Sequence, residues 1–241
     1  VKPYLSIIIP AYNEAKRISL TLIDIKRHCD KANYSTEIIV VDDGSKDETV
    51  DIVRRFKVLM DNIRIIELPR NQGKGVAVRV GMGAARGKYR LFMDADNSTA
   101  IDQFDKAIQF MNQGFPVVIA SRYIKGAIMD PPQSLMRRIP SRIGNLIIQV
   151  LLLPGIKDTQ CGFKVFEEEA AEKIFAMMVI NRWGFDVEAL ALVKKYGYKI
   201  KEVPVLWVNK SMSHLGSPVF IKTLWEVVKI RWWLWNGMYD K

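Results

Sequence analysis

The sequence predicts an α/β fold, a mostly parallel sheet with helices on both faces, followed by amphipathic helices at the C-terminus. Three observations lead there. Up to residue 120, short β-rich apolar runs alternate with helical patterns, as in a parallel sheet covered on both sides. The acidic and glycine-bearing motifs follow the apolar runs, at the strand ends where such sheets bind ligands. The tail from Pro218 to Tyr239 combines a large apolar face with scattered basic residues.

The predicted strands are Leu5 to Ile9, Glu37 to Val41, Ile63 to Leu68, Tyr89 to Met93 and Val117 to Ala120. Helices are expected over Ala15 to Cys29, Lys46 to Leu59, Gly75 to Arg86 and Ile101 to Asn112. Residues 121 to 140 hold Gly126, Pro131, Pro132 and Pro140 and read as a loop or lid. Arg142 to Leu153 reads as an apolar helix stopped by Pro154-Gly155, Phe163 to Met178 and Phe185 to Tyr196 as helix-bearing segments, and Lys199 to Val208 as one more strand.

With 241 residues, 49% of them apolar, and no low-complexity tract, the chain suits one large domain with a full core. Its two cysteines, Cys29 and Cys161, make no disulfide framework, and a reducing compartment is the default. Val1-Lys2-Pro3 leads into a strand with no signal-peptide pattern, and no apolar run reaches the ~20 residues that span a bilayer. A net charge of +10 calls for an anionic partner, whether nucleic acid, nucleotide or membrane surface. Nucleic acid fits poorly, because Asp42, Asp43, Asp94 and Asp96 crowd the open end of the sheet and repel a phosphate backbone.

The first strand ends in Ile9-Pro10-Ala11-Tyr12-Asn13-Glu14. Proline cannot continue a ladder, so the chain is expected to turn there and present Tyr12 and Glu14 at the rim. The second ends in Val41-Asp42-Asp43-Gly44-Ser45-Lys46-Asp47, where Ser45 and Glu48 are spaced as a capping box. Successive residues of an extended chain point to opposite sides, so one of the two acids faces a ligand. An acidic acceptor suits the ring N–H of uracil or guanine, and Asp43 is assigned that contact. Asn71-Gln72-Gly73-Lys74-Gly75 opens a helix with glycines that let backbone N–H groups approach an anion and with a lysine charge. The Walker spacing is absent. In Phe92-Met93-Asp94-Ala95-Asp96 two carboxylates end a buried strand. They suit a hard divalent cation whose remaining ligands come from phosphate, or they cap the helix near Ile101.

Ser6 to Glu14, Val41 to Asp47, Asn71 to Gly75, Asp94-Ala95-Asp96 and Ala120-Ser121-Arg122 together resemble the family 2 glycosyltransferases of the GT-A (Rossmann-like) fold. The resemblance implies that the first two motifs, with Pro10, Tyr12, Glu14 and Asp43, hold the nucleoside. It implies further that Asp94 lies on the ribose side and that Asp96 holds Mg²⁺ or Mn²⁺ on the diphosphate, helped by Lys74 and Arg122. Asn97 departs from the small residue usual after the second acid. Asp158-Thr-Gln-Cys-Gly-Phe-Lys164 and Trp183-Gly-Phe-Asp-Val-Glu188 look like the dolichyl- and polyprenyl-phosphate glycosyltransferases, a likeness running to about His214. Asp186 takes that branch's base position, and His214 is a candidate for the metal shell or the diphosphate, although a lone histidine is more often structural.

The Arg137-x-x-x-Ser141 spacing also resembles that branch, which implies an acceptor phosphate clamped by the pair, four apart on one helical face, with Arg138 adding charge; a solvated helix start is the competing reading of Arg137, Arg138 and Arg142. The apolar run Leu146 to Leu153 and the tail, which holds four of the six tryptophans between residues 225 and 235, suit a membrane interface. A core or oligomer interface is the competing reading of that tail. The expected organisation is a catalytic domain over 1–217, with a nucleotide-sugar half (1–122) and an acceptor half (123–217), and a membrane-surface helix over 218–241. The expected enzyme is peripheral, at the cytoplasmic face of a membrane, and inverts configuration as it moves a sugar from a nucleoside diphosphate to polyprenyl or dolichyl phosphate. UDP-glucose is the favoured donor and GDP-mannose the next. The competing readings are a glycosyltransferase acting on a saccharide or other hydroxyl, and a nucleotidyltransferase. The latter normally carries a basic glycine-rich loop where this chain has Pro-Ala-Tyr-Asn-Glu.

Overall fold

The structure, a computed structural model, describes residues 2–132, 135–209 and 217–240, with 135–138, 217, 218 and 220 described as backbone. Five strands fall where the apolar runs predict: β1 (Leu5–Ala11), β2 (Thr36–Asp42), β3 (Ile63–Glu67), β4 (Tyr89–Met93) and β5 (Val117–Ser121). Between them run α1 (Ile18–Lys31), α2 (Thr49–Phe56), α3 (Lys74–Ala84) and, after a 3-10 turn at Ile101–Gln103, α4 (Phe104–Met111). The second half holds β6 (Ile128–Asp130), α5 (Leu135–Leu151), β7 (Phe163–Glu167), α6 (Glu168–Met177), α7 (Phe185–Lys195), β8 (Ile200–Pro204), β9 (Leu206–Val208) and α8 (Ser217–Trp235).

The main sheet has the order β3-β2-β1-β4-β7-β5-β8 and is parallel except for β7. Strand order reverses between β1 and β4, which opens a crevice at their carboxyl ends. Both faces are covered. Ile8, Ile39, Val41 and Phe92 pack against α3, α6 and α7. Ile7, Ile9, Ile38, Val40 and Leu91 pack against α1, α2 and α4.

Four expectations change. Pro10 lies inside β1, opposite Val41, rather than ending it. The β4 ladder stops at Ile8, so no strand on that side needs an N–H from Pro10. Antiparallel β7 occupies the start of a segment read as helix-bearing; α6 follows it at once, with no glycine or proline to mark the junction. Lys199 to Val208 is two strands: β8 joins the main sheet, while β9 pairs with β6 inside the stretch read as a loop. Ser45 caps nothing. Its Oγ accepts the Asn13 N–H at 2.9 Å, and Asp47 accepts the Thr49 N–H at 3.1 Å at the start of α2.

α8 lies against α5 and α7, with Val227 and Ile230 in the same core as α7. Outward, Ile143, Leu146 and Val150 of α5 and Ile221, Trp225, Trp232 and Trp235 of α8 are exposed. Among the described residues no helix is long and apolar enough to cross a membrane.

Candidate active site

The loops after β1, β2 and β3 enclose a cavity of about 510 Å³, lined by Tyr12, Asp42, Lys46, Leu68, Arg70 and Asn71 among others. They are joined through backbone groups. Asn13, in the left-handed region at φ 54°, accepts the Lys46 N–H on Oδ1 at 2.8 Å. The Glu14 N–H donates to Thr49 Oγ1 at 2.8 Å. Gly44 has φ 72°, and a Cβ there would stand 2.6 Å from the Arg70 carbonyl carbon, so both the turn and the close approach require glycine.

The two adjacent acids have different partners. Asp43 accepts the Gln72 N–H at 2.7 Å and the Gly73 N–H at 2.8 Å, one on each oxygen, and so holds the start of α3. Asp42 lines the cavity. Its Oδ2 takes the Gly44 and Ser45 N–H groups, while Oδ1 is buried with no hydrogen-bond partner among the described residues.

At the end of β4 stands a cluster of charges. Lys74, the first residue of α3, reaches Asp94 Oδ1 at 2.5 Å. Burial works to lower its pKa, but the carboxylates of Asp94, Asp186 and Asp96 outweigh it and hold the ammonium at about 12. Asp94 rests on Gly162, where a Cβ would lie 2.0 Å from Asp94 Oδ2; only glycine leaves room for the carboxylate. Asp96 accepts the Ser98 N–H on Oδ1 at 2.9 Å, with no hydrogen-bond partner for Oδ2 among the described residues. Glu14 is gripped by Arg17 at 2.6 and 2.7 Å. Burial pushes the Glu14 carboxyl above the usual range, Arg17 pulls it down, and Asp96 and Asp94 add to the rise.

Asp186, in the first turn of α7, is buried and takes a 2.5 Å bond from Lys164, a fully buried ammonium on β7 that also donates to the Cys161 carbonyl at 2.7 Å. Burial raises the Asp186 pKa, and Lys164 and Lys74 oppose the rise. Arg122, expected near the diphosphate, is fastened to buried Asp158 by Nε at 2.7 Å and Nη2 at 2.9 Å. Burial lowers its pKa, but the Asp158 carboxylate raises it further and keeps the guanidinium charged. Ser141 Oγ lies 2.9 Å from the Tyr123 hydroxyl. The side chains of Arg137 and Arg138, and all of His214, lie outside the described residues.

The geometry thus brings together Glu14, Lys74, Asp94, Asp96 and Asp186. Sequence reasoning assigned no role to Lys164, Asp158 or Gly162. A signal for Lys164 was present: a lysine among Phe163, Val165 and Phe166 in an apolar strand must find a buried acid. Among the described residues no group of three or more His, Cys, Asp or Glu side chains is placed to hold a metal. Two hard carboxylates, one with an oxygen that has no partner among the described residues, nevertheless fit a cation that draws its other ligands from a diphosphate.

Residues 6–175 match the family described as Glycosyl transferase family 2. The dolichyl-phosphate beta-glucosyltransferase of Dictyostelium discoideum is 38% identical over 241 residues, covering 95% of this chain and 74% of that protein. Its namesake in Saccharomyces cerevisiae is 34% identical, covering 98% and 76%, and that of Homo sapiens is 34% identical, covering 88% and 69%. Among solved structures, glucosyl-3-phosphoglycerate synthase from Mycobacterium tuberculosis, in complex with Mn²⁺, uridine diphosphate and phosphoglyceric acid, superposes with a TM-score of 0.69 at 16% identity, covering 95% of this chain and 77% of that one. S. aureus TarS with UDP-GlcNAc gives 0.60 at 19%, covering 94% and 66%. The fold is that of the GT-A glycosyltransferases, and the chain belongs to glycosyl transferase family 2.

Proposed function

We propose that this enzyme moves glucose from UDP-glucose to dolichyl phosphate with inversion, at the cytoplasmic face of a membrane it touches peripherally. The observation that carries this reading is the placement, at the carboxyl end of one sheet, of both a cavity of about 510 Å³ among the loops after β1, β2 and β3, within the range of small-ligand sites, and the Asp94–Asp96 pair with Lys74 after β4. The relatives named for this reaction match almost the whole chain, and GDP-mannose and UDP-N-acetylglucosamine are the competing donors.

Tyr12 and Asp42 face the nucleoside, and Asp42 is the acceptor for a ring N–H because Asp43 is committed to backbone. Asp94 and Asp96 would hold Mg²⁺ or Mn²⁺, which supplies Lewis-acid stabilisation of the leaving diphosphate. The neighbour with Mn²⁺ and uridine diphosphate supports that choice. Lys74 adds a fixed positive charge, since a pKa of about 12 keeps it protonated at neutral pH. A phosphate oxygen of the acceptor forms the new bond at the anomeric carbon as the bond to the diphosphate breaks, and the bonding pair leaves with UDP. The second pKa of the acceptor is about 6, so it arrives already anionic. Asp186, tied to Lys164, then orients and polarises rather than removing a proton. Arg137, Arg138 and Ser141 are assigned to the acceptor phosphate; His214 is left as a candidate beside the diphosphate.

Membrane contact is supported by the exposed apolar residues of α5 and α8, with Lys222, Lys229 and Arg231 interspersed for anionic headgroups. Two free cysteines suit the cytoplasmic side. The test is transfer of radiolabelled sugar to dolichyl phosphate in detergent with Mg²⁺ or Mn²⁺. Label from UDP-glucose in the organic phase is expected. Label from GDP-mannose alone would change the sugar, and metal-dependent donor hydrolysis without lipid label would remove the lipid acceptor.

A further inference from the structure

We infer that Glu226 of α8 is a positioning residue for the transfer step, fixing the helix start that presents Asp186. This rests on the reading of Asp186 given above. α7 begins at Phe185, and its N-cap, Gly184, has no side chain with which to satisfy the orphan N–H groups of a helix start. α8 supplies the missing acceptor from outside: Glu226 Oε2 takes the Gly184 N–H at 2.7 Å. The fit is close, since a Cβ on Gly184 would lie 2.8 Å from both Cβ and Oε2 of Glu226. A carboxylate there also complements the positive end of the α7 dipole. Asp186 lies two residues on, held from the opposite side by Lys164.

The chain after α8 grips the same segment again. The Tyr239 hydroxyl donates to Glu188 Oε1 at 2.6 Å, and Glu188 in turn accepts the Val179 and Ile180 N–H groups at 2.9 and 2.8 Å. Residues 179–188 are therefore anchored from α8 and its tail, and the Asn181 carbonyl within them accepts the Val76 N–H of α3, two residues beyond Lys74. Glu226 is the sole acid in α8, a helix otherwise apolar and basic. An acid there opposes attraction to anionic lipid; its bond to Gly184 gives it work inside the protein.

The experiment compares E226A, E226Q and D186N by UDP-glucose and dolichyl-phosphate kinetics, with hydrogen exchange on the unreacted proteins. For E226A, kcat should fall on the order of tenfold or more while the KM for UDP-glucose stays within about twofold. Amides across residues 179–190 should exchange faster, with those of β1 to α3 unchanged. E226Q should recover most of the rate, because its amide oxygen accepts the same bond. D186N inactive with E226A at the wild-type kcat overturns the inference alone. A fall in kcat and UDP affinity together, with faster exchange throughout, also overturns it, as a loss of general packing. D186N at the wild-type rate overturns the reading of Asp186 and the inference with it.

Discussion

The two sides of the crevice are built differently. On the cavity side, Asn13, Ser45, Asp42, Asp43 and Asp47 direct their oxygens to backbone N–H groups of the turns around them. On the transfer side the contacts are ion pairs between side chains: Lys74 with Asp94, Lys164 with Asp186, Arg122 with Asp158. Loops stitched through their backbone keep their shape whatever the charge of the ligand. A site made of ion pairs is set by charge, so one lost partner strands the other in a medium where an unpaired charge is costly. Substitutions on the cavity side should therefore weaken donor binding or loosen a loop, while those on the transfer side should change rate, pH dependence and stability together.

The largest effect is expected at Asp96. Asp96→Ala removes one of the two carboxylates assigned to the cation but, among the described residues, a single local hydrogen bond, to Ser98. Turnover should fall at least about 10³-fold, the scale set by loss of a principal electrostatic contact to the leaving group, with the melting temperature little changed. Transfer assays and calorimetry on the same sample check both parts. Wild-type rates for this variant in metal-free buffer would remove the cation from Asp96.

Lys164→Met should give the next largest effect. It leaves Asp186 buried without its partner, which costs roughly 3–5 kcal/mol at neutral pH. Asp186 already has its pKa raised by burial, so through that window the folded state holds a proton that the unfolded state has lost, and stability falls as pH rises. Without Lys164 the pKa climbs further. The variant should thus regain stability towards acid pH relative to wild type, and the acidic limb of its kcat profile should move upward. Urea titrations between pH 5 and pH 8 measure the first; equal losses at all pH values would show that the pair does not govern Asp186.

What the sequence made legible follows the same division. The strands of the first half could be read because each is a short apolar run closed by turn residues, and the motifs sat at their ends as the sheet requires. β7 was missed because α6 begins at the next residue, and β6 because a three-residue strand carries too little periodicity; β8 and β9 were read as one strand because a single residue, Val205, separates them. In the site, Lys74, Asp94, Asp96 and Glu14 were visible as residues placed at strand ends and helix starts, and Asp186 through the likeness of its motif to the polyprenyl-phosphate branch. Partnership was not: that Arg122 belongs to Asp158, and Asp186 to Lys164, depends on antiparallel β7 lying between β4 and β5. The choice between Asp42 and Asp43 was equally hidden, since alternation says that the two diverge but not which one meets the cavity.

That choice gives the smallest expected effect and the sharpest contrast. Asp43→Asn exchanges an oxygen that accepts the Gln72 or Gly73 N–H for an amide NH₂, setting donor against donor at the start of α3. It should cost about 1–3 kcal/mol of stability, as a buried donor left unsatisfied does, and disturb Lys74 through the loop. Asp42→Asn can turn its amide oxygen toward Gly44 and Ser45 and keep those bonds. Its amide NH₂ would then stand where the unpartnered Oδ1 does, in a residue that lines the cavity, and could no longer accept a ring N–H. UDP should bind about tenfold more weakly to Asp42→Asn with the melting temperature near wild type, whereas Asp43→Asn should lose stability first and affinity second. Isothermal titration with UDP beside thermal unfolding separates the two. If Asp43→Asn kept full stability and lost UDP while Asp42→Asn bound normally, the base contact would return to Asp43, and the bonds that carboxylate makes to the α3 loop would be a resting arrangement that the nucleoside replaces.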